Sequence, residues 1–482
     1  MRREIRADYE QSYLLPPSLE DWLSEDHPTR FIRDFVDSLD LQAHGFVVRD
    51  RSGEAGRSNY AADLLLKVWL YGYLSRVHSV RALERACREH ISLLWLTGTH
   101  APDHNTLWRF LRGNRTALKR LFETTVRTAL RLNLVGMVLH AVDGTKMKAW
   151  CSRRGVLDQE QVEALLTELD AAAEEFMRLA QEEAPDDDGQ YALPEELQDV
   201  QSRREQIRAV LEAMEQDKAN SVQPREPEAR WMKTDEGLRL GYNAQAVVDG
   251  QSGIIVAEDV VNAPTDHAQL TPMIEQVAKT TGGYAADTIA DSGYRSAQSI
   301  AYAEERGYAV LVNGNPHTNP SATQAPYHMR CFAYEKERDV YRCPEGQMLT
   351  YIGTRANRHG HYAVRRYRCA SCQTCSKKTL CTSSPKGRTV ERSPYVEAVA
   401  RHDSRLETTE GQRTLSRRKT IVEPVFALIK HTMGFRRFTA HGLEAVRAQW
   451  TLICIAANLK RLMTSIRRQH HTPYFPILKI TT

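Results

Sequence analysis

The sequence lacks the features that mark membrane and secreted proteins. Its 482 residues contain no run of eighteen or more apolar residues, so no transmembrane helix is expected. The N-terminal stretch MRREIRADYEQSY has no apolar segment of the kind found in signal peptides. We therefore expect a protein that stays in the cytoplasm and has no membrane partner.

Cysteine is sparse, with nine residues in the whole chain. In a reducing compartment these thiols are expected to pack or to bind metal rather than to form disulfides. Cys87, Cys151 and Cys454 lie in helical or strand-flanking contexts and are interpreted as core residues. A hydrophobic content of 41% in a chain of this length is sufficient for two or more cores, which predicts a multidomain protein.

The chain as a whole has little excess of charge, since its net charge is only +4. The charges are nevertheless segregated: residues 155–220 carry a balance of −14, whereas residues 330–395 carry +9 and residues 401–482 carry +10. Two basic regions in the C-terminal half favour a polyanionic partner, and nucleic acid is the first candidate. Charge asymmetry alone is equally compatible with solvated surfaces.

Residues 1–135 have the pattern of helices. Apolar residues recur at intervals of three to four through residues 63–98, which is typical of packed helices. Asp103 and Thr106 precede another apolar run and predict a helix cap. Helices that bear arginines favour a DNA-binding region, although a scaffold or dimerisation bundle fits the same residues.

From Gly136 onward the pattern is that of strands. Asp249-Gly250 joins two β-rich runs and predicts a hairpin. The predicted order is strand, hairpin, helix, strand, helix and strand, at residues 137–144, 240–261, 268–280, 284–294, 297–307 and 308–314. This order predicts a mixed α/β core.

The core is divided by two insertions. Its first part spans residues 136–154 and 231–314, and its C-terminal helices span residues 401–482. Residues 155–230 predict an acidic helical hairpin, broken by DDDG at 186–189, for which an inert spacer is the simplest interpretation. Residues 315–400 predict a loop-rich, basic insertion that holds most of the cysteines.

Two acids end predicted strands of this core. Asp143 is followed by Gly144, and Asp291 is followed by Ser292. If the two strands are neighbours in one sheet, both carboxylates lie at the edge where open α/β sheets bind ligands. Glu423 would supply a third carboxylate. A single Asp at a strand end is usually a cap or turn residue, so the hypothesis depends on the combination.

Three carboxylates on short tethers predict a site for hard cations. Oxygen ligands suit Mg²⁺ or Mn²⁺. Two such ions about 3.5–4 Å apart activate a water or hydroxyl group and stabilise the departing oxygen in phosphoryl transfer. This is the chemistry of cutting and joining DNA strands.

The segment TIVEPVFALIKHTMGFRRF, residues 420–438, combines an apolar helical face with charges. Pro424 is tolerated in the first turn of a helix, so the helix is predicted to begin close to Glu423. Lys430 follows seven residues later and should project from the same side. The final turn is predicted to be anchored by aromatic residues and to offer two bases to phosphate, Arg436 and Arg437.

The basic insertion contains a cluster of cysteines. Its members are Cys343, Cys369, Cys372, Cys375 and Cys381. Their close spacing resembles that of metal-binding knuckles, and thiolates satisfy the tetrahedral preference of Zn²⁺. Five exceed a four-ligand site, Cys331 and His361 are further candidates, and spacing does not decide which four would bind. A reduced, metal-free loop is the alternative.

Several motifs resemble a known family. HAVDGTKMKA, IADSGY and TIVEPVFALIKHTMGFRRF resemble the three acidic motifs of DDE transposases, and the order of elements is similar to a ribonuclease-H-like core. The resemblance is to bacterial insertion-sequence transposases of the IS1182 type, within the group that includes the IS4 and IS5 types. It extends to LLLKVWLYGYLSRVHSVRALERACREH and LGYNAQAVVD, and to the cysteine cluster.

The resemblance implies a transposase whose core, a mixed sheet flanked by helices, holds two Mg²⁺ or Mn²⁺ ions through Asp143, Asp291 and Glu423. The implied reaction is hydrolysis at the element ends followed by attack of the freed 3′-hydroxyl on target DNA. The implied partners are the terminal inverted repeats and the target DNA, bound by a homodimer in the bacterial cytoplasm. The bases expected to contact DNA are Lys146, Arg418, Lys419, Lys430, Arg436 and Arg437.

One departure from the family pattern affects these contacts. Related transposases usually have a Tyr and an Arg seven and four residues before the Glu, where this chain has Ser416 and Lys419. Two alternatives to a transposase also remain: a non-catalytic DNA-binding regulator derived from one, and a metal-dependent nuclease without strand transfer. The presence of all three acids argues against the regulator.

Overall fold

The computed structural model has a mixed α/β fold. It describes residues 17–47, 59–183, 195–217, 220–234, 236–314, 326–357 and 362–470. Within these ranges, no helix combines the length and the apolar character needed to cross a bilayer. The DDDG break at 186–189 and His361 lie outside the described residues.

The described N-terminal residues form a helical bundle. Its helices are α1 (Pro28–Asp37), α2 (Ala62–Leu74), α3 (Val80–Glu89), α4 (Ile91–Thr97), α5 (His104–Gly113) and α6 (Arg115–Arg131). The predicted cap of α5 is confirmed, because the Asp103 carboxylate accepts a hydrogen bond of 2.8 Å from the backbone N–H of Thr106.

The larger sheet forms the centre of the molecule. Its strands are β1 (Leu139–Lys148), β4 (Arg230–Thr234), β5 (Gly237–Asp249), β6 (Ile255–Val261), β7 (Asp287–Ala290) and β8 (Ala309–Val312). Strands β6, β5 and β1 are antiparallel neighbours, and β1, β7 and β8 are parallel neighbours. Strand β4 pairs with the first residues of β5. The predicted hairpin is therefore confirmed as β5 and β6.

Strand β1 is longer than predicted. The prediction that it ends at the acid Asp143 was wrong, because β1 continues to Lys148. The reason is its partner: β5 pairs with β1 along the whole length, from His140 opposite Asp249 to Lys148 opposite Gly241. Asp143 therefore lies within a strand rather than in a turn.

Helices cover the sheet and join it to the N-terminal bundle. They include α9 (Leu270–Thr281), α10 (Ala297–Glu305) and the long α15 (Leu443–His470). Helix α15 packs against α2, α6 and β6. Its buried Asn458 donates a 2.8 Å hydrogen bond to the carbonyl of Ile255 and accepts one from the same residue's N–H. The buried apolar residues of the bundle, the sheet and α15 belong to one hydrophobic core.

The acidic insertion is a helical hairpin, as predicted. Helices α7 (Gln159–Glu183) and α8 (Glu195–Asp217) pack together, and the short strands β2 (Leu157–Asp158) and β3 (Ser221–Val222) close their base. The hairpin has its own small apolar core, which includes Val162, Ile207 and Val210.

The cysteine-containing insertion is more ordered than predicted. The expectation of a loop-rich segment was wrong, because five strands form an antiparallel sheet in the order β13-β12-β11-β10-β9. They are β9 (Ala333–Glu335), β10 (Val340–Arg342), β11 (Met348–Ala356), β12 (Ala363–Cys369) and β13 (Thr389–Arg392), with the short helix α11 (Lys378–Cys381) beside them. Aromatic packing stabilises this sheet, since the rings of Tyr341 and Tyr367 lie 5.1 Å apart in a small buried core.

The C-terminal helices begin with α12 (Val396–Leu406), α13 (Thr409–Ser416) and α14 (Arg418–Ala427). A π-helical segment, Leu428–Thr432, follows α14 directly. The prediction that this helix begins close to Glu423 was wrong, since Pro424 lies inside α14. An internal proline costs about 3 kcal/mol. Burial of the apolar residues Ile421, Val422 and Val425 offsets that cost, because each contributes about 1.5–3 kcal/mol.

Candidate active site

The acids Asp143, within β1, and Asp291, directly after β7, lie side by side. Parallel pairing sets Leu139 opposite Asp287 and Ala141 opposite Ile289, and the same register makes Asp143 level with Asp291. Neighbouring strands lie about 4.8 Å apart, so the two backbones are close at this point. Strand β7 ends at Ala290, immediately before Asp291. The remaining residues of β1 therefore extend past the end of β7.

Backbone N–H groups hold both carboxylates in place. The Asp143 carboxylate accepts a 2.9 Å hydrogen bond from Gly144, and the Asp291 carboxylate accepts a 2.8 Å bond from Gly293. Burial raises the pKa of Asp143 to about 6, an effect reinforced by the negative charges of Asp291 and Asp266. The site therefore concentrates negative charge where little solvent reaches.

A guanidinium group neutralises part of this charge. Arg418, in the first turn of α14, donates a 2.6 Å hydrogen bond to the Asp143 carboxylate. Both side chains are less than one-fifth exposed, so water screens the pair weakly. Arg418 was predicted to contact DNA, and in this structure its partner is Asp143.

The third predicted acid, Glu423, is exposed on α14 and does not form a metal-holding group with the two aspartates in the described residues. At 100° per residue, five residues separate Glu423 from Arg418 by about 140° around α14. Arg418 faces Asp143, whereas the side chain of Glu423 is exposed. The structure thus brings Asp143 and Asp291 together and does not bring Glu423 to them.

Lys146 lies on the other face of β1 from Asp143, because side chains alternate along a strand. Its ammonium contacts both carboxylate oxygens of Asp266, at 2.8 and 2.9 Å. Asn243 and Gln245, which lie opposite Lys146 and Gly144 on β5, also donate to Asp266, at 2.7 and 2.8 Å. Lys146, a predicted DNA contact, is thus held in an internal ion pair.

Asp266 is a residue that the sequence analysis missed. It follows β6 in a polar loop, where an Asp is usually a turn residue, and no local pattern marks it. Gly144 gives it room, since a Cβ on that glycine would lie 2.8 Å from Asn243 Oδ1 and 3.0 Å from Asp266 Oδ1. Asp266 is therefore identified by its tertiary contacts and not by a sequence motif.

The aromatic turn after the π-helix is anchored as predicted. Phe435 and Phe438 are fully buried, and their rings are 5.6 Å apart. The backbone N–H of Phe438 donates to the carbonyl of Lys148, at the end of β1. Arg436 and Arg437 are exposed beside them, as is Lys419 on α14, whereas Lys430 is half-buried.

The five clustered cysteines converge on one cavity. Their side chains line it together with Phe332 and Leu349. Backbone N–H groups donate to two of the thiols, from Gln347 to Cys343 Sγ at 3.3 Å and from Arg388 to Cys372 Sγ at 3.4 Å. Cys331, a further candidate, is exposed and does not line the cavity.

Neither predicted metal site is assembled in the described part of the chain. There, no group of three or more His, Cys, Asp or Glu side chains is arranged to hold a metal ion. At the carboxylates, Asp143 and Asp291 are level in register, and Glu423 does not complete a group of three with them. At the cysteines, the thiols share one cavity but are not oriented as a ligand set.

Comparison with known protein families gives two matches. Residues 342–463 match the model described as a transposase DDE domain, and residues 17–113 match the model described as a transposase domain of the type DUF772. Both matches are to transposase domains. A comparison with curated proteins gave no match.

The chain is thus similar to transposase domains over its N-terminal helices and over part of its C-terminal half. The C-terminal match contains the five clustered cysteines, Arg418 and Glu423, and the N-terminal match contains helices α1 to α5. Asp143 and Asp291 lie between the two matched ranges. Their alignment is therefore an observation independent of the family comparison.

Proposed function

We propose that the protein is a DNA transposase that cleaves DNA at the ends of an insertion sequence and transfers the cut strands into target DNA. The observation that carries this proposal is the alignment of Asp143 with Asp291 on neighbouring parallel strands. The transposase matches on both sides of this pair support the same activity. The proposed catalytic residues are Asp143, Asp291 and Glu423.

The donor chemistry at the aligned pair fits Mg²⁺ or Mn²⁺. Carboxylate oxygens are the ligands these ions prefer, and the negative charges of Asp291 and Asp266 near Asp143 favour a cation there. Two bound ions would supply an activated water or 3′-hydroxyl and would stabilise the leaving oxygen. The fit is incomplete at Glu423, to which we assign the third position in the DNA-bound state.

Arg418 has a specific part in this proposal. In the free protein it balances the charge of Asp143, at a distance of 2.6 Å. A DNA phosphate offers the guanidinium an alternative bidentate partner, so bound DNA would draw Arg418 away from Asp143. Release of Asp143 would then be coupled to the arrival of the substrate.

The other proposed DNA contacts are basic residues of the C-terminal region, Lys419, Lys430, Arg436 and Arg437. Each phosphate contact releases counterions, so affinity for DNA should fall steeply with salt concentration. We further propose a homodimer on DNA, since two element ends must be processed together, and a location in the bacterial cytoplasm.

We propose that the larger sheet is a ribonuclease-H-like core and that the protein is of the IS1182 type. The support for the core is strand order, with three antiparallel strands followed by two that extend the sheet in parallel. The support for the type is the family motifs of the sequence, which include the helix bearing Glu423.

We also propose that the cysteine cavity binds a structural Zn²⁺. The support is the convergence of five thiols and the N–H donors to Cys343 and Cys372, which would stabilise thiolates. The described rotamers do not form a ligand set, so binding requires rotation of cysteine side chains. Metal analysis of the purified protein tests this proposal: one equivalent of zinc that is lost in Cys372→Ser supports it, and zinc-free protein contradicts it.

One observation favours a second candidate function. Because Arg418 occupies the Asp143 carboxylate and Glu423 is not grouped with the aspartates, a non-catalytic DNA-binding regulator derived from a transposase is the second candidate. A metal-dependent nuclease without strand transfer is the remaining alternative.

A single assay separates these functions. Purified protein is incubated with Mg²⁺, labelled DNA that carries the element ends, and a target plasmid. A transposase gives cut ends and joined products, a nuclease gives cut ends alone, and a regulator binds the DNA and leaves it intact. Joined products that persist in Asp143→Ala would contradict the assignment of the site.

A further inference from the structure

A large groove lies between the helical hairpin and the end of strand β1. Its volume is about 1470 Å³. The hairpin contributes residues of α7 and α8 to one wall, and the rest is formed by the chain after β1, the segment after β3 and the aromatic turn with the residues that follow it. The residues that define it for the following argument are Trp150, Arg154, Arg203, Arg225 and Arg437. We call it the Trp150 groove.

The Trp150 groove is strongly basic, although the hairpin that forms one wall is acidic overall. The four arginines that define the groove are all exposed. Among the described residues that line it, Asp199 is the only acid. An adjoining cavity shares Arg437 and adds Lys148, Arg153 and Arg239, so the basic surface continues along the edge of β1 and β5.

The arginines of α8 lie in two different surroundings, an ion pair within the hairpin and the groove. Arg204 and Arg208 form ion pairs with Asp170 of α7, which holds the two helices of the hairpin together. Arg203 lies instead among the residues of the groove. Arg208 therefore provides a matched control for Arg203, since both are arginines on one helix.

The groove is held in shape by buried contacts. Gln223 is buried, and its side-chain amide donates to the carbonyls of Ser152 and Arg154, at 3.0 and 3.2 Å. Its side-chain oxygen accepts a 3.0 Å hydrogen bond from the N–H of Arg225. The backbones of Arg154 and Arg225 are thus fixed to one another, which reduces the entropy lost when their side chains bind an anion.

An exposed aromatic ring lies beside these charges. Trp150 is 41% exposed, and the guanidinium of Arg437 lies 3.9 Å from the centre of its ring. The cation occupies one face of the ring. Arginines with an exposed aromatic ring are the combination that binds unpaired nucleotides, because the charges track phosphates while bases stack on the ring. Bases within a duplex are already stacked and do not offer that contact.

We propose that the Trp150 groove binds an unpaired DNA strand, with a base stacked on Trp150 and phosphates bound by Arg154, Arg203, Arg225 and Arg437. The identity of the strand rests on the proposed function, in which cut DNA ends are intermediates. The acidic hairpin is then one wall of a substrate channel rather than the inert spacer that its composition indicated.

The test measures binding without chemistry. Fluorescence anisotropy is recorded for the full chain in EDTA, with a labelled thymidine oligonucleotide and, separately, with a blunt duplex of equal length. Trp150→Ala should weaken binding of the single strand roughly 5- to 150-fold, the range for loss of one stacked base. Trp150→Phe should restore most of the affinity.

The charge contacts are tested by salt dependence. In Arg203→Ala, the slope of log K against log salt for the single strand should fall by about 0.7, as expected for one lost phosphate contact. Arg208→Ala should leave this slope unchanged. Arg203 is exposed, so this variant remains informative if Trp150→Ala does not fold.

Three outcomes would overturn the proposal. These are failure of the wild-type protein to bind the single strand, unchanged single-strand affinity in both Trp150→Ala and Arg203→Ala, and a loss confined to the duplex. The result is separable from the proposed function, because a protein that binds the strand in this groove but neither cuts nor joins DNA ends would refute only that function.

Discussion

Arg418 and Asp143 form an ion pair of 2.6 Å at the point where β1 and β7 bring two aspartates together. The pair links helix α14 to the sheet, and α14 also carries Glu423. A divalent cation and the guanidinium would compete for the same carboxylate. In the proposed function, this pair would have to open before Asp143 could bind a cation.

Arg418→Ala should increase the affinity of the DNA-free protein for Mn²⁺. The lost guanidinium bond is charge-assisted and worth about 1.5–3 kcal/mol, so affinity should rise at least about tenfold. Isothermal titration calorimetry measures this change. The control is Arg417→Ala, which removes an exposed arginine one residue earlier and should bind like the wild type. Equal Mn²⁺ affinities in all three proteins would show that Arg418 does not compete with the cation for Asp143.

Asp143→Asn should change how stability depends on pH. The pKa of Asp143 is raised from 3.8 to about 6, so the folded protein takes up this proton at a higher pH than the unfolded chain does. In the wild type, protonation of Asp143 therefore stabilises the folded state fully below pH of about 4. This stabilisation is lost as pH rises through about 6. The asparagine variant does not titrate at this position and avoids that loss.

The free energy of unfolding, measured with denaturant in EDTA, should shift in favour of Asp143→Asn by about 2 kcal/mol between pH of about 4 and 7. The shift concerns the difference between variant and wild type, so titrating groups that do not interact with Asp143 cancel. A difference that stays constant over this range would show that burial does not disfavour the ionised Asp143.

Asp266→Ala should be strongly destabilising. Asn243 and Gln245 are fully buried, and with Lys146 they would lose a shared acceptor. Unsatisfied buried donors cost about 1–3 kcal/mol each, so we expect a loss of about 2–4 kcal/mol in urea unfolding. Asp259→Ala is the control, since its ion pair with Arg447 is exposed and contributes at most about 1 kcal/mol. Similar effects in both variants would contradict a structural role for Asp266.

Local features of the sequence predicted much of the fold. The cap at Asp103, the hairpin at Asp249 and the burial of Phe435 and Phe438 follow from turn chemistry, capping and aromatic packing. The burial of Cys87 and Cys454 was predicted in the same way, whereas Cys151 is partly exposed and lines the Trp150 groove.

Long-range contacts account for what could not be predicted. The extension of β1 depends on pairing with β5, about a hundred residues later, and the start of α14 depends on burial against the sheet rather than on Pro424. The partners of Asp143 and Lys146 lie at Arg418 and Asp266, distant in sequence and unmarked by spacing. The adjacency of Asp143 and Asp291 was anticipated because β1 and β7 were predicted as neighbouring strands, although β1 does not end at Asp143.

The most direct test of the central claim compares the rate of strand cleavage at element ends in Mg²⁺ for the wild type, Asp291→Asn and Asp287→Asn. Both substitutions lie at strand β7, but Asp287 pairs with Arg405 away from the site, so its variant should cleave like the wild type. Asp291→Asn should lose at least about a hundredfold in rate, as when a group that stabilises developing charge is removed. Equal rates for the two variants would contradict a catalytic role for Asp291.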